Sequence, residues 1–144
     1  MTPSPACIAL IQSFEQCRLA AYMPTPNDRP TIGWGTTGPD VKLGMTWPQA
    51  QCDARFAADL DKFAQGVSAN LIGETGQGQY DAMVSLSYNI GPGAFKASTL
   101  LRLHNAGDSD GADAQFAVWN KQAGKVIAGL VKRRAAEAAM YGGE

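Results

Sequence analysis

FEQCRLAAYMPTPNDRPTIGWGTTG, residues 14–38, changes grammar part-way through. Up to Glu15 the apolar residues recur at helical spacing. After it come prolines and then Thr31, Ile32, Gly33, Trp34 and Gly35, a β-branched and aromatic run punctuated by glycine. A helix end therefore meets a hairpin, with Glu15 at the junction. A carboxyl group placed there is half-buried at the wall of a cleft, where desolvation favours the protonated form and suits it to general-acid work.

Working outward, Ser4 followed by Pro5 reads as an N-cap before a first-turn proline, and Cys7, Ile8, Ile11 and Phe14 continue the stripe. This predicts a first helix over about residues 4–14. MPTPNDRP, residues 23–30, holds three prolines beside Asn27 and Asp28 and reads as a turn-rich connection. Gly33 and Gly35 mark close backbone approach. Thr46 to Gln49 reads as a capping box that opens a long helix at Thr46, whose stripe is Cys52, Phe56, Leu60, Phe63 and Val67. QYDAMVSLSYNI gives another helix, closed by Gly91, Pro92 and Gly93.

Ser98 or Thr99 caps a short helix that ends near Gly107, with the single histidine, His104, read as a solvated or dipole-stabilised residue near its end. Asp110 opens a helix with Phe116 and Trp119. Gly124 breaks it, and Ile127 through Tyr141 gives one or two more. The fold class expected is α+β and mostly helical, with one small sheet. It forms a single domain over 1–144, with a β-lobe at about 16–44 and a helical lobe from 1–15 and 46–144, joined by the long helix.

A chain of 144 residues with 45% hydrophobic and 17% charged residues supports a real core without metal or disulfide staples. Net charge of −1 gives no general pull toward nucleic acid. The end of the chain is locally positive: Lys121, Lys125, Lys132, Arg133 and Arg134 stand against Glu137 and Glu144, read first as a solvated helix face and second as a surface that attracts an anionic polymer. Cys7, Cys17 and Cys52 form no CxxC and have no histidine partner, so they read as reduced packing residues, with no metal site. The reading also expects no signal peptide, no membrane span and no stable membrane association.

Phosphate-loop, dinucleotide-binding and HExxH motifs are absent, and with one imidazole and no GxSxG elbow a serine or cysteine nucleophile has no base. Carboxylate chemistry remains, and no cofactor is called for. Glycoside cleavage uses it: an acid protonates the leaving oxygen and a second group handles water.

FEQCRLAAY, TIGWGTTG, GMTWPQAQ, SLSYNIGPGAF, STLLRLHNAGD and FAVWNKQAGKVIAGLVKRRAAE, in that order, resemble the phage-type lysozymes of glycoside hydrolase family 24 from about residue 8 to 141. The resemblance implies a lysozyme-like fold and a muramidase (EC 3.2.1.17) that cuts peptidoglycan between N-acetylmuramic acid and N-acetylglucosamine. By the same resemblance it is an endolysin that waits in the host cytoplasm, reaches the wall in the periplasm through a holin-type partner, and works as a monomer.

Glu15 matches the family's catalytic acid and Thr31 the threonine before IGxG. The family's aspartate falls on Pro24 counted forward from Glu15 and on Thr25 counted back from Thr31. Neither is acidic, and Asp28 is the only acid between Glu15 and Asp40. It becomes a candidate by elimination. Thr36 stands where the family often has histidine, a change expected to affect packing. Tyr88, Asn89 and Ser98 match positions that line the family's substrate cleft, Trp119 lies in the block that closes it, and Arg133 or Arg134 matches an arginine placed near the catalytic glutamate. The alternatives left open are a lytic transglycosylase that uses Glu15 alone and a catalytically silent peptidoglycan-binding domain.

Overall fold

In the computed structural model, residues 1–143 are described, and Glu144 lies outside them. Seven α-helices and two two-stranded antiparallel sheets are present among the described residues: α1 (Pro5–Glu15), β1 (Arg18–Tyr22), β2 (Thr31–Gly33), α2 (Gln49–Asn70), α3 (Gln77–Ile90), α4 (Pro92–Lys96), α5 (Thr99–Asn105), α6 (Ser109–Gln115), β3 (Lys121–Gln122), β4 (Lys125–Val126) and α7 (Ala128–Tyr141). The α+β, mostly helical class is as expected. The chain divides into two compact units, Ile11–Lys62 and the remainder.

In the Ile11–Lys62 unit, α1 ends at Glu15 and Gln16 takes a left-handed φ of 52°. The chain then enters β1, which pairs with β2 in a register of Arg18 with Gly33 and Tyr22 with Thr31. Four steps along β1 thus oppose two along β2, and β1 bulges. On its other edge β1 meets an extended segment: Ala21 N–H donates to the Met45 carbonyl at 2.9 Å and Trp47 N–H to the Leu19 carbonyl at 2.8 Å. Buried Ile32, Val41, Trp47 and Cys52 form the core of this unit, with Cys17, Ala21 and Trp34 packed against it.

The helix expected to open at Thr46 opens at Gln49 instead. Thr46 is paired with Ala20 as an isolated bridge and Trp47 is buried at 8% exposure, so strand pairing and burial hold these two residues out of the helix. The Gln49 side chain turns to Asp53 at 2.9 Å rather than back to the cap. Within α2 most of the stripe is as read: Cys52, Phe56, Leu60 and Val67 are buried, while Phe63 is half-buried.

The other unit is built on α3, whose residues Tyr80 to Ser87 are all buried. Ser4 caps α1 by accepting from Cys7 N–H at 3.4 Å, and its hydroxyl donates to Asp81 of α3. The single expected sheet is joined by a second hairpin, β3–β4, which turns through Ala123 at φ 52° and Gly124 at φ 79°. The run read as a solvated basic face is also corrected: Lys132 is exposed, but Arg133 and Arg134 are 3% and 1% exposed.

His104, read as solvated or dipole-stabilised, is buried at 6% exposure. Its Nδ1 lies 2.6 Å from the Tyr141 hydroxyl and its Nε2 lies 2.9 Å from that of Thr75. Burial lowers the imidazole pKa below its ordinary value. The unfolded chain therefore takes up this proton first, and stability is lost as pH falls below about 6.5, levelling once the folded imidazole is also protonated. Urea midpoints measured from pH 7.5 to 5.5 should fall for the native chain and fall less for His104→Gln; equal slopes would contradict the assignment.

Candidate active site

Glu15 is the last residue of α1 and is half-buried. Because β1 begins at Arg18, opposite Gly33, the backbone brings the end of α1 to the Gly33 end of β2. Thr31 begins the same strand, about 7 Å away along it at two residues' rise. Gly33 has φ 64°, and a Cβ there would stand 3.3 Å from that of Cys52, so the close approach expected from sequence is present.

Thr31 is 5% exposed and its hydroxyl donates to the Arg29 carbonyl at 3.1 Å. With its proton committed there, the oxygen's lone pairs remain for accepting. Asp28 is exposed and sits in the turn between the strands. Its N–H donates to the Thr25 carbonyl at 3.1 Å and its Oδ1 accepts from Arg29 N–H at 2.9 Å. Arg29 thus carries both candidates, Asp28 on its amide and Thr31 on its carbonyl. Pro24 is exposed and Thr25 half-buried, and neither supplies a carboxylate.

The hairpin is fixed to α2 by polar contacts that were not read from the sequence. Thr36 is buried, and its hydroxyl donates to Asp59 Oδ2 at 3.0 Å, consistent with a packing role. Asp59 Oδ1 accepts from Arg55 Nε at 3.0 Å, and Arg55 Nη1 reaches Asp40 at 2.7 Å. The Arg55 hydrogen bond lowers the Asp40 pKa. Trp34 Nε1 donates to Asp53 Oδ1 at 2.8 Å, which also accepts from Gln49, and these two bonds, Trp34's first, lower the Asp53 pKa. The available signal was the four-residue spacing of Gln49 with Asp53 and of Arg55 with Asp59.

Tyr88, Asn89 and Ser98 belong to the other unit. Tyr88 is half-buried and packs on Phe63 with ring centroids 5.1 Å apart, while Asn89 is exposed one residue further along α3. Ser98 caps α5: its hydroxyl accepts from Leu101 N–H at 3.1 Å and donates to the Phe95 carbonyl at 2.7 Å. Trp119 is half-buried and its carbonyl accepts from Arg134 Nη1 at 3.2 Å.

Glu137, 0% exposed, gathers both arginines of α7: Arg133 Nε at 3.3 Å and Arg134 Nε at 2.7 Å. Ser85 donates its hydroxyl to the same carboxylate. No grouping of three or more His, Cys, Asp or Glu able to hold a metal ion occurs among the described residues.

The sequence profile of the family described as "Phage lysozyme" matches residues 12–137. The chain belongs to the phage lysozyme family. Among its relatives in sequence, an endolysin of Bacillus phage PZA is 42% identical over 142 residues, an alignment that takes in 98% of this chain and 55% of that protein. The chain thus spans about half the length of the Bacillus phage endolysins it matches.

Among solved structures, the endolysin from Escherichia coli O157:H7 phage FAHEc1 superposes with a TM-score of 0.86 at 36% identity, covering 98% of this chain and 93% of that one. The muramidase domain of SpmX from Asticaccaulis excentricus does so at 0.85 and 33%, covering 96% and 95%.

In this chain the Glu137 cluster carries two guanidinium groups on one carboxylate, out of water. Removing the carboxylate's charge leaves both arginines without it in a buried setting. Glu137→Gln should lower unfolding free energy by about 3–5 kcal/mol, read from urea denaturation; a loss under about 1 kcal/mol would show that the cluster is dispensable.

Proposed function

We propose that this chain is a peptidoglycan-cleaving glycosidase that hydrolyses the β-1,4 bond between N-acetylmuramic acid and N-acetylglucosamine, with Glu15 as general acid. The observation that carries this reading is the half-buried Glu15 closing α1 beside a hairpin whose second strand begins with buried Thr31, in a chain of the phage lysozyme family. The word "muramidase" in the name of the SpmX relative supports the choice of bond.

In the proposed reaction Glu15 gives its proton to the glycosidic oxygen, and positive charge grows at the anomeric carbon as the bond lengthens. Water must then arrive from the opposite face. Thr31 holds it as an acceptor: its own proton is engaged by Arg29, so the water donates one hydrogen to Thr31 and keeps a lone pair for the carbon. A neutral hydroxyl is a poor base, and Asp28 is the carboxylate assigned to take the water's second proton through the oxygen not engaged by Arg29. Tyr88, Asn89 and Ser98 are assigned to substrate, Ser98 by holding the start of α5 in place.

A second reading has one observation in its favour. Asp28 is exposed and caps its own turn, and a lytic transglycosylase needs no activated water because a hydroxyl of the muramic acid itself attacks. A silent binding domain would keep the surface and lose the chemistry. For delivery we propose a cytoplasmic wait followed by holin-type release to the wall, with the protein acting as a monomer; no described helix is long and apolar enough to cross a membrane. Expression alone should then leave the host intact until chloroform opens the inner membrane, whereas spontaneous lysis with periplasmic protein would contradict that route.

Mass spectrometry of released muropeptides tests the reaction. Reducing ends are expected; 1,6-anhydro ends, lighter by one water, would establish the transglycosylase, and no released fragments the silent domain. Asp28→Asn should slow hydrolysis about a hundredfold or more, and full activity in that variant would leave Thr31 alone beside Glu15.

A further inference from the structure

Two of the three thiols meet. Cys52 lies in α2 with its side chain fully buried, while Cys17, two residues beyond Glu15, is half-buried and packs on the same apolar cluster. Both sulfurs belong to one apolar cluster, and Cys17 is near enough to contribute, after burial, to the rise of the Cys52 pKa. Strand register leads to the same place independently. Cys17 precedes Arg18, Arg18 is paired with Gly33, and a Cβ on Gly33 would stand 3.4 Å from Cys52 Sγ. Gly33 thus leaves the space that lets the Cys52 sulfur lie against the start of β1. Cys7 differs: it is fully buried in the other unit, its thiol donates to the Asp81 carbonyl at 3.4 Å, and burial pushes its pKa up to about 12.

We infer that Cys17 and Cys52 form a modification site, a dithiol that small disulfides oxidise to an intramolecular disulfide stapling the start of β1 to α2. Cys17, the accessible sulfur, attacks as thiolate one sulfur of a dialkyl disulfide such as glutathione disulfide and releases the first small thiol. Cys52 then attacks the Cys17 sulfur and displaces the second. One S–S bond forms in the protein and one is lost from the oxidant. The two protons and two electrons given up by the cysteines leave on the two small thiols.

Burial raises the Cys52 pKa and makes the second step the slow one. A reducing cytoplasm keeps the pair open, and an oxidising compartment lets it close. The closed loop, residues 17–52, contains β1, Asp28, Thr31 and the segment paired with β1. Its chain entropy is removed from the unfolded state, so the staple acts as a stabiliser.

The test treats the full chain with glutathione disulfide, unfolds it in denaturant to alkylate every remaining thiol and maps peptides by mass spectrometry, with melting of the folded chain followed in parallel. The number of alkylatable thiols should fall from three to one, the survivor being Cys7. A peptide linking residues 17 and 52 should appear, and the melting temperature should rise by roughly 5 °C or more, reversed by dithiothreitol. Cys17→Ser, at a half-buried position, should fold and show neither effect. Oxidation that stops with glutathione on Cys17, three thiols that stay alkylatable, or a linked protein that melts no higher than the reduced one would each overturn the inference.

Discussion

The chain reverses at Gln16, and the seating of Glu15 against the hairpin depends on that reversal. A non-glycine residue in the left-handed region costs about 1–2 kcal/mol, and at φ 52° Gln16 persists only because its surroundings require it. Its N–H still reaches the Gln12 carbonyl at 3.4 Å, so α1 closes in the ordinary way before the turn. Beyond it β1 is held on both edges, by β2 on one side and by Met45 and Trp47 on the other. Glu15 is therefore tied to the hairpin by backbone, a short step from a strand whose register is set. That is a stiffer mounting for a carboxyl group than a loop would give.

Helix α2 supplies the second constraint. Its buried face, Cys52 and Phe56, backs the hairpin's apolar residues, and its polar residues pin the hairpin sideways through Asp53, Arg55 and Asp59. The exposed contacts among these add little to stability singly. Their value is register: Trp34, Thr36 and Asp40 each have a partner at a defined position along one helix. Slipping the hairpin by a residue would undo all three contacts. The buried Arg133–Arg134–Glu137 cluster in the other unit is of a different kind, since charges held out of water are strongly destabilising when a partner is lost.

Much of this was legible in the residues themselves, wherever a local signal and the tertiary context agreed. Ser4 and Pro5 announced α1, Ser98 announced α5, and the change of pattern after Glu15 announced the hairpin. The errors arose where tertiary contact overrode a local signal. Thr46 and Gln49 have capping-box spacing, yet Trp47 is worth more buried with its N–H on Leu19. The β3–β4 hairpin turns through Ala123 and Gly124, and Gly124 signalled a break without showing that the two-residue strands on either side would pair. Arg133 and Arg134 looked solvated because their partner, Glu137, lies a helical turn away, while Ser85 is distant in sequence. At the site, Glu15 and Thr31 were marked by pattern and resemblance. Asp28's engagement with its own turn was not, since that depends on the local fold of a proline-rich loop.

The central claim is that Glu15 delivers the proton that breaks the glycan. Its most direct test is turbidity loss of outer-membrane-permeabilised cells treated with Glu15→Gln beside the native chain, with far-UV circular dichroism confirming the fold of both. The amide keeps the side chain's shape but has no acidic proton to give. An unchanged spectrum and a lysis rate lower by about a hundredfold or more are expected. Clearing at near the native rate by a correctly folded Gln variant would contradict the claim.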